Sequence, residues 1–346
     1  MMTPEAPPMR GYWYIAAESV ELRNRPLARQ ILGDRLVLFR GDSGQPAALV
    51  DRCPHRAVEL STGEVRHGRL ACPYHGWEFD RSGQCAYIPS LCAGEGIPAT
   101  AKAAAYPTVE QDGYVWVYVG AQPGDPAPEG SAPLAFPHRG ESGWANARLH
   151  TTIPNAVENV IENFIDCPHT GYVHGGLFRT PASHGARTVV RAVSDGVVID
   201  IDEDQQTSSL LGRLLVPRGE AVTHQDRFYL PATVRVAYHF GTRKSVIGFQ
   251  VCTPVNDHET RVHVYLTWRM GWLTSLMTPF MPLVGKLVLD QDMGVLVNQG
   301  EVLRRGEARF ISCPADTANL WIRAARERAR RGEPQPERET RVEFRL

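Results

Sequence analysis

Neither sign of charge dominates this chain: 37 Lys and Arg stand against 38 Asp and Glu, a net charge of −1. It therefore offers no broad basic field for nucleic acid or an anionic lipid surface, and neither is expected as a partner. Its seven cysteines are an odd number with no regularly spaced disulfide framework, which favours a reducing, cytoplasmic setting. Met1 to Arg10 carries three prolines and no apolar run, so it reads as neither signal peptide nor anchor. Residues 271–285 (GWLTSLMTPFMPLVG) lack any charge but are too short to span a bilayer comfortably and contain Pro279 and Pro282. A buried segment or a lid over a pocket is expected there instead, with no membrane partner. No internal repeat is visible. A length of 346 residues with 43% hydrophobic and 22% charged residues suits a globular protein of two domains.

What is present begins with two Cys–His pairs, Cys53-x-His55 and Cys72-x-x-His75, separated by sixteen residues. A structural zinc site usually keeps its cysteines together and then its histidines. One thiolate and one imidazole in each of two tight loops is instead what a Rieske [2Fe–2S] centre requires, with two thiolates on one iron and two imidazoles on the other. Rieske proteins of respiratory complexes carry a further cysteine in each loop; here the loops read CPHRAV and CPYHGW, which favours an oxygenase or ferredoxin. Neutral imidazole in place of anionic thiolate makes the cluster accept an electron more readily. Cys85, Cys92, Cys167, Cys252 and Cys313 read as ordinary buried thiols. The loops fall between β-branched and aromatic runs at 30–39, 47–50 and 114–119, so residues 1–120 are expected to be an all-β domain.

Residues 121–140, with five prolines, form the expected linker, and a second domain follows over 141–346. It opens with a helix whose wheel puts Val157, Val160, Ile161 and Phe164 on one face and Asn155, Asn159, Glu162, Asn163 and Asp166 on the other, ended by Pro168. Strands are expected at 188–202, 227–240, 245–253 and 260–269, and helices near 283–303 and 316–331, an α+β domain. Five arginines between Arg323 and Arg331 make the last helix basic; they read as a solvated face, or more sharply as a docking surface for an acidic redox partner.

The first helix continues through His169 and His174, which can face one metal, and a carboxylate from elsewhere would complete a 2-His-1-carboxylate triad. Asp290 and Asp292 are the candidates; two residues apart on a helix, they point to different faces, so only one can serve.

Gly-Tyr-Trp13-Tyr, the two Cys–His loops, the N-x-x-D-x-x-H-x-x-x-x-H run over 163–174 and the late acidic helix occur in an order that resembles the oxygenase component of Rieske non-haem iron oxygenases. The length is similar to the vanillate O-demethylase group. That resemblance implies a Rieske domain with Cys53, His55, Cys72 and His75 on the cluster, then a helix-grip-like catalytic domain with an antiparallel sheet and flanking helices. It implies that His169, His174 and Asp292 bind Fe(II), with Asp290 the fallback, that Asn163 lies near the iron, and that Asp166 bridges His169 to His75 of a neighbouring subunit in a homotrimer. It further implies a separate reductase, possibly with a ferredoxin, bringing electrons from NAD(P)H, and O2 as co-substrate to hydroxylate or demethylate a small, largely apolar molecule. Desaturation or oxidative cyclisation uses the same metal sites, and a Rieske electron carrier without catalytic iron is the alternative of another class. Phe178, Phe228, Tyr229, Phe240 and Phe249 are candidates to contact an apolar ring.

Overall fold

The computed structural model describes residues 8–175, 185–203, 222–306 and 309–345; Phe178 lies outside them. The chain forms two compact units, one of Arg10–Ala135 and one from Phe136 onward.

The first unit is all β. Its strands are β1 (Tyr12–Glu18), β2 (Leu27–Ile31), β3 (Asp34–Arg40), β4 (Pro46–Val50), β5 (Glu64–Arg66), β6 (Arg69–Ala71), β7 (Glu78–Phe79), β8 (Cys85–Tyr87), β9 (Ala105–Tyr106), β10 (Thr108–Gln111) and β11 (Tyr114–Val119). They make three sheets in the orders β1-β11-β10, β2-β3-β4-β9 and β5-β6-β7-β8. The run expected as one strand at 30–39 is a hairpin. Leu32 and Gly33 both have positive φ, the two-residue turn that matches the twist of paired strands. One Cys–His loop follows β4 and the other joins β6 to β7, so sheet edges brace both.

In the second unit, β12 (Ala145–Ile153), β13 (Gly185–Val193), β14 (Gly196–Glu203), β15 (Val222–Tyr229), β16 (Thr233–Phe240), β17 (Lys244–Asn256), β18 (Glu259–Met270) and β19 (Arg338–Arg345) build one antiparallel sheet in the order β12-β18-β17-β16-β15-β14-β13-β19. The strands expected at 188–202 and 227–240 are each two, because the two-residue period runs on through short turns at 194–195 and 230–232. Among the described residues five α-helices accompany the sheet: α1 (Val157–Ile165), α2 (His169–Tyr172), α3 (Thr274–Met277), α4 (Met281–Arg304) and α5 (Thr317–Arg330). Val160 and Ile161 of α1, Leu289 and Leu296 of α4 and Ile322 of α5 share one core with Phe228, Val234, Leu266 and Trp268, so these helices cover one face of the sheet. The α+β architecture, an all-β domain followed by an antiparallel sheet with flanking helices, is as expected.

Two local expectations hold only in part. Residues 271–285 are buried only at Thr274 and Met281: Gly271–Met277 and α4 meet at a bend of 70°, and Trp272, Leu276, Phe280 and Leu283 project outward, Trp272 with 85% of its surface exposed. Among the described residues no single helix is long and apolar enough to cross a membrane, although the bent pair together meets that length and composition. The basic face at 323–331 is solvated only in part, at Arg328 and Arg331. Arg326 and Arg330 both pair with Glu158 of α1, at 2.8 and 2.6 Å, and Arg323 pairs with Glu162.

Candidate metal centres

The two Cys–His loops have the same backbone device. Ala57 N donates to Cys53 O and Gly76 N to Cys72 O, at 2.9 and 3.0 Å, and both closing residues have positive φ, +58° and +70°. Each cysteine is thereby turned inward, and Cys53 and Cys72 are buried among Leu60, Leu70, Phe79 and Ile88. At Gly76 a Cβ would lie 2.9 Å from Pro89 Cγ, so the tight closure of the second loop requires glycine. The His55 and His75 rings stand 4.6 Å apart, His55 stacks on Trp77 and His75 packs against Tyr74. Burial first, then the adjoining Cys72 thiol, pushes the Cys53 thiol up to about 11. Partial desolvation, with His75 and Arg56 alongside, lowers the His55 imidazole. His55 Nδ1 is buried without a hydrogen-bond partner. Two thiols held against each other beside two imidazoles, one with an orphaned nitrogen, fit a [2Fe–2S] cluster in donor type and number.

The second centre is assembled from two helices. Asn155, Asn159 and Asn163 recur every four residues and so share one stripe along the start of the unit's first helix. Rather than facing solvent, the stripe is the seam against α4. Asn155 Nδ2 donates to Leu296 O at 2.8 Å, Asn159 Nδ2 to Asn155 Oδ1 at 2.7 Å, and Asn163 Nδ2 to Asp292 Oδ1 at 3.2 Å. Gly300 permits the approach, since a Cβ there would come within 2.4 Å of Pro154 O.

Asp292 is thereby buried between two imidazoles. His169 Nε2 lies 3.5 Å and His174 Nε2 3.1 Å from Asp292 Oδ1, and one ligand atom from each of the three residues lies within 4.8 Å of the other two. Asp290 projects from another face of α4, exposed and paired with Lys286 at 2.6 Å. Two devices aim the histidines. Asp166 Oδ2 accepts from the His169 backbone N–H at 3.1 Å, and Asp166 O contacts His169 Nδ1. Gln291 Oε1 lies 2.8 Å from His174 Nδ1, accepting its proton and leaving Nε2 toward the centre. Burial alone would lower the His169 imidazole, but Asp166 and Asp292 outweigh it and raise it to about 9. For Asp292 burial acts upward, and the two histidines prevail and hold it below the usual carboxylate range. Two imidazoles and one carboxylate converging on one point are a donor set that suits Fe(II).

Gln291 and the asparagine seam were not singled out from the sequence. The spacing of four was visible in the seam, but only packing against α4 gives it meaning. Of the aromatic candidates, Phe228 and Phe240 lie on the helix-covered face of the sheet. Phe249 lies on the other face, against Phe136, and Tyr229 alternates away from Phe228 under Arg227. Cys85, Cys167 and Cys252 are buried as expected, whereas Cys92 and Cys313 are exposed.

Residues 12–106 match the Rieske [2Fe-2S] domain, and residues 153–332 match the vanillate O-demethylase oxygenase C-terminal domain. The chain is 38% identical over 178 residues to the oxygenase component of dicamba O-demethylase from Stenotrophomonas maltophilia, covering 50% of each chain. It is 29% identical over 330 residues to chlorophyllide a oxygenase of Oryza sativa subsp. japonica, covering 92% of this chain and 57% of that one. The chain spans about half the length of these curated relatives. Dicamba monooxygenase solved with 3,6-dichlorosalicylic acid superposes with a TM-score of 0.78 at 25% identity, over 94% of this chain and 98% of that one. With both domains matched in order, and the second match alone taking in more than half its residues, this chain belongs to the Rieske non-haem iron oxygenases.

Proposed function

We propose that this chain is the terminal oxygenase of a multicomponent system, hydroxylating or oxidatively demethylating a small, largely apolar organic molecule. The observation that carries the reading is the buried convergence of His169, His174 and Asp292 in a chain that also has a Rieske domain. In this assignment Cys53, His55, Cys72 and His75 hold the cluster, and His169, His174 and Asp292 hold a mononuclear iron(II). When bound there, the iron would supply O2 activation. The balance is one C–H bond and O2, with two electrons and two protons, giving one C–OH bond and water; on a methyl ether or methylamine the hydroxylated methyl then leaves as formaldehyde. The chain's own groups set the geometry. Gln291 and Asp166 orient the two imidazoles, and Asn163 holds the Asp292 carboxylate in place.

A separate reductase, directly or through a ferredoxin, brings electrons from NAD(P)H one at a time. Asp166 links the cluster histidine His75 of one subunit to His169 of the next in a head-to-tail homotrimer. Seven cysteines, two of them assigned to the cluster and none in a regularly spaced disulfide framework, support a reducing, cytoplasmic setting.

Iron analysis of the purified chain tests the core of the reading. Three irons per chain are expected, whereas two would make it an electron carrier. His169→Ala and Asp292→Ala should each remove one iron and abolish substrate-dependent O2 uptake with a surrogate reductase, while leaving the cluster's visible spectrum intact. Asp166→Asn should keep all three irons and nearly abolish turnover. Wild-type coupling of electrons to product in that variant would refute the bridge.

A further inference from the structure

Strand register decides which side chains of the large sheet face the helices that carry the metal centre. Phe228, Val234 and Leu266 lie in one core with Val160 and Ile161 of α1. Alternation from these puts His224 and Asp226 on the same face, and pairing puts Gly248 opposite both Val236 and Leu266, with Gln250 one step along the strand. An otherwise apolar face thus has a polar centre built around a gap.

Three observations characterise that gap. Gly248 adds no side chain between Val236 and Leu266, and the Gln250 amide lies over it, Nε2 being 3.1 Å from where a Cβ on Gly248 would be. The Gln250 Oε1 is buried with no hydrogen-bond partner, as is the Nε1 of fully buried Trp268. An orphaned amide in such a place is a cost that a bound partner would relieve. Asp226 Oδ1 and His224 Nε2 pair at 2.9 Å on this face, both residues buried, and His224 stacks on Tyr238. Among the inward positions of β15 to β18 the basic side chains are His224, paired with Asp226, and Lys244, the first residue of its strand. Among the described residues of these strands an incoming anion would meet the Asp226 carboxylate and no uncommitted cation, whereas a neutral donor or acceptor would be served by an amide, which offers both.

We infer that Gln250 is a specificity-determining residue: over the hollow at Gly248 it hydrogen-bonds a neutral polar substituent, of amide, ketone or hydroxyl type, on a flat and otherwise apolar ring. This rests on the proposed oxidation and names the class of molecule it accepts. The apolar neighbours Val236 and Leu266 make the floor on which the ring lies, and the amide, seated over Gly248, reads one edge.

The test uses the holoenzyme and three probes of nearly one size: methoxybenzene, 2-methoxybenzamide and 2-methoxybenzoate. Calorimetric titration should show the benzamide binding about tenfold or more tightly than either other probe, about the discrimination one satisfied hydrogen bond supplies. Gln250→Leu should reduce benzamide binding to the methoxybenzene level and leave methoxybenzene within about twofold. Gly248→Ala should weaken all three by filling the hollow, with the cluster spectrum and melting temperature of each variant showing that it is folded. Wild-type enzyme with no preference for the benzamide, a preference for the benzoate, or a preference that survives Gln250→Leu would each overturn the inference. Iron content separates this from the underlying reading. Two irons per chain with the benzamide preference intact would sink the oxidation and leave the recognition. Three irons and probe-dependent O2 uptake without the preference would do the reverse.

Discussion

Replacing Glu158 by Gln should loosen the helix on which the metal centre is built. Glu158 lies in the first turn of α1, where a carboxylate also suits the helix dipole, and Oε1 takes hydrogen bonds from Arg326 at 2.8 Å and Arg330 at 2.6 Å. Burial works against its charge, but the two guanidiniums prevail and hold it below the ordinary carboxylate value. The Arg326 side chain is only 4% exposed and also donates to Pro231 O, so it cannot swing out to water when its partner is neutralised. Breaking a fully buried ion pair costs about 3–5 kcal/mol. The Glu158 side chain keeps 33% of its surface and Arg330 has Glu327 within 3.5 Å, so screening brings the expectation to about 2–3 kcal/mol. For a unit of this size that is a fall of about 4–12 °C in the melting of the second domain. The sign with pH follows from the lowered value. The stabilisation is present above the ordinary carboxylate range and is lost as pH falls through the folded-state value, so Glu158→Gln should flatten the acid limb of the stability profile. Calorimetric melts of Glu158→Gln, Arg326→Met and the double variant form a cycle, with the cluster's visible absorption as an internal control for the first domain. A coupling energy under about 0.5 kcal/mol would refute the reasoning, because it would mean that the Glu158–Arg326 pair does not hold α1 to α5.

Three further outcomes are expected. His169 is raised to about 9, and a metal needs the neutral imidazole, so proton and metal compete. Iron(II) affinity of the metal-free chain, followed by titration, should rise about tenfold per pH unit up to about 9 and then level off. In the metal-free chain the same raised value stabilises fully below the ordinary imidazole value and is lost as pH climbs through about 9; a pH-independent affinity would contradict both statements. Gln291→Leu takes away the acceptor for His174 Nδ1 and should weaken mononuclear iron binding about 10–100-fold with the cluster untouched, as read by iron retention on a desalting column. Gly76→Ala meets a φ of +70° and a contact of 2.9 Å to Pro89, and should cost the loop about 1–2 kcal/mol and bleach the cluster faster on warming; equal bleaching rates would count against the glycine's role.

The two centres differ in how legible they were. Cys53 with His55 and Cys72 with His75 sit within single tight turns, so the spacing alone confines each pair to one side of a loop, and a closure over four residues needs little else. His169 and His174 are almost as local, joined by the short α2. The other half of the second centre is not local. Asn163 meets Asp292 across 129 residues of chain, and Asp290 and Asp292 are equivalent as letters until α4 settles one face against α1. The apolar pattern of α4 is too weak to announce that face, since Leu283, Leu287, Val295 and Val302 are all exposed. Hairpins were misread as single strands for a related reason: a two-residue turn barely interrupts a period of two.

Local spacing therefore determined the chemistry that each motif can hold, through bond lengths and turn geometry that no distant residue can alter. Packing decided the rest. It turned the asparagine stripe inward, paired the arginines of α5 with α1, set Gln291 behind His174, and left Gln250 unpartnered over Gly248. Each of those outcomes depends on which surfaces bury together, a free-energy balance struck over the whole domain and not within any one segment.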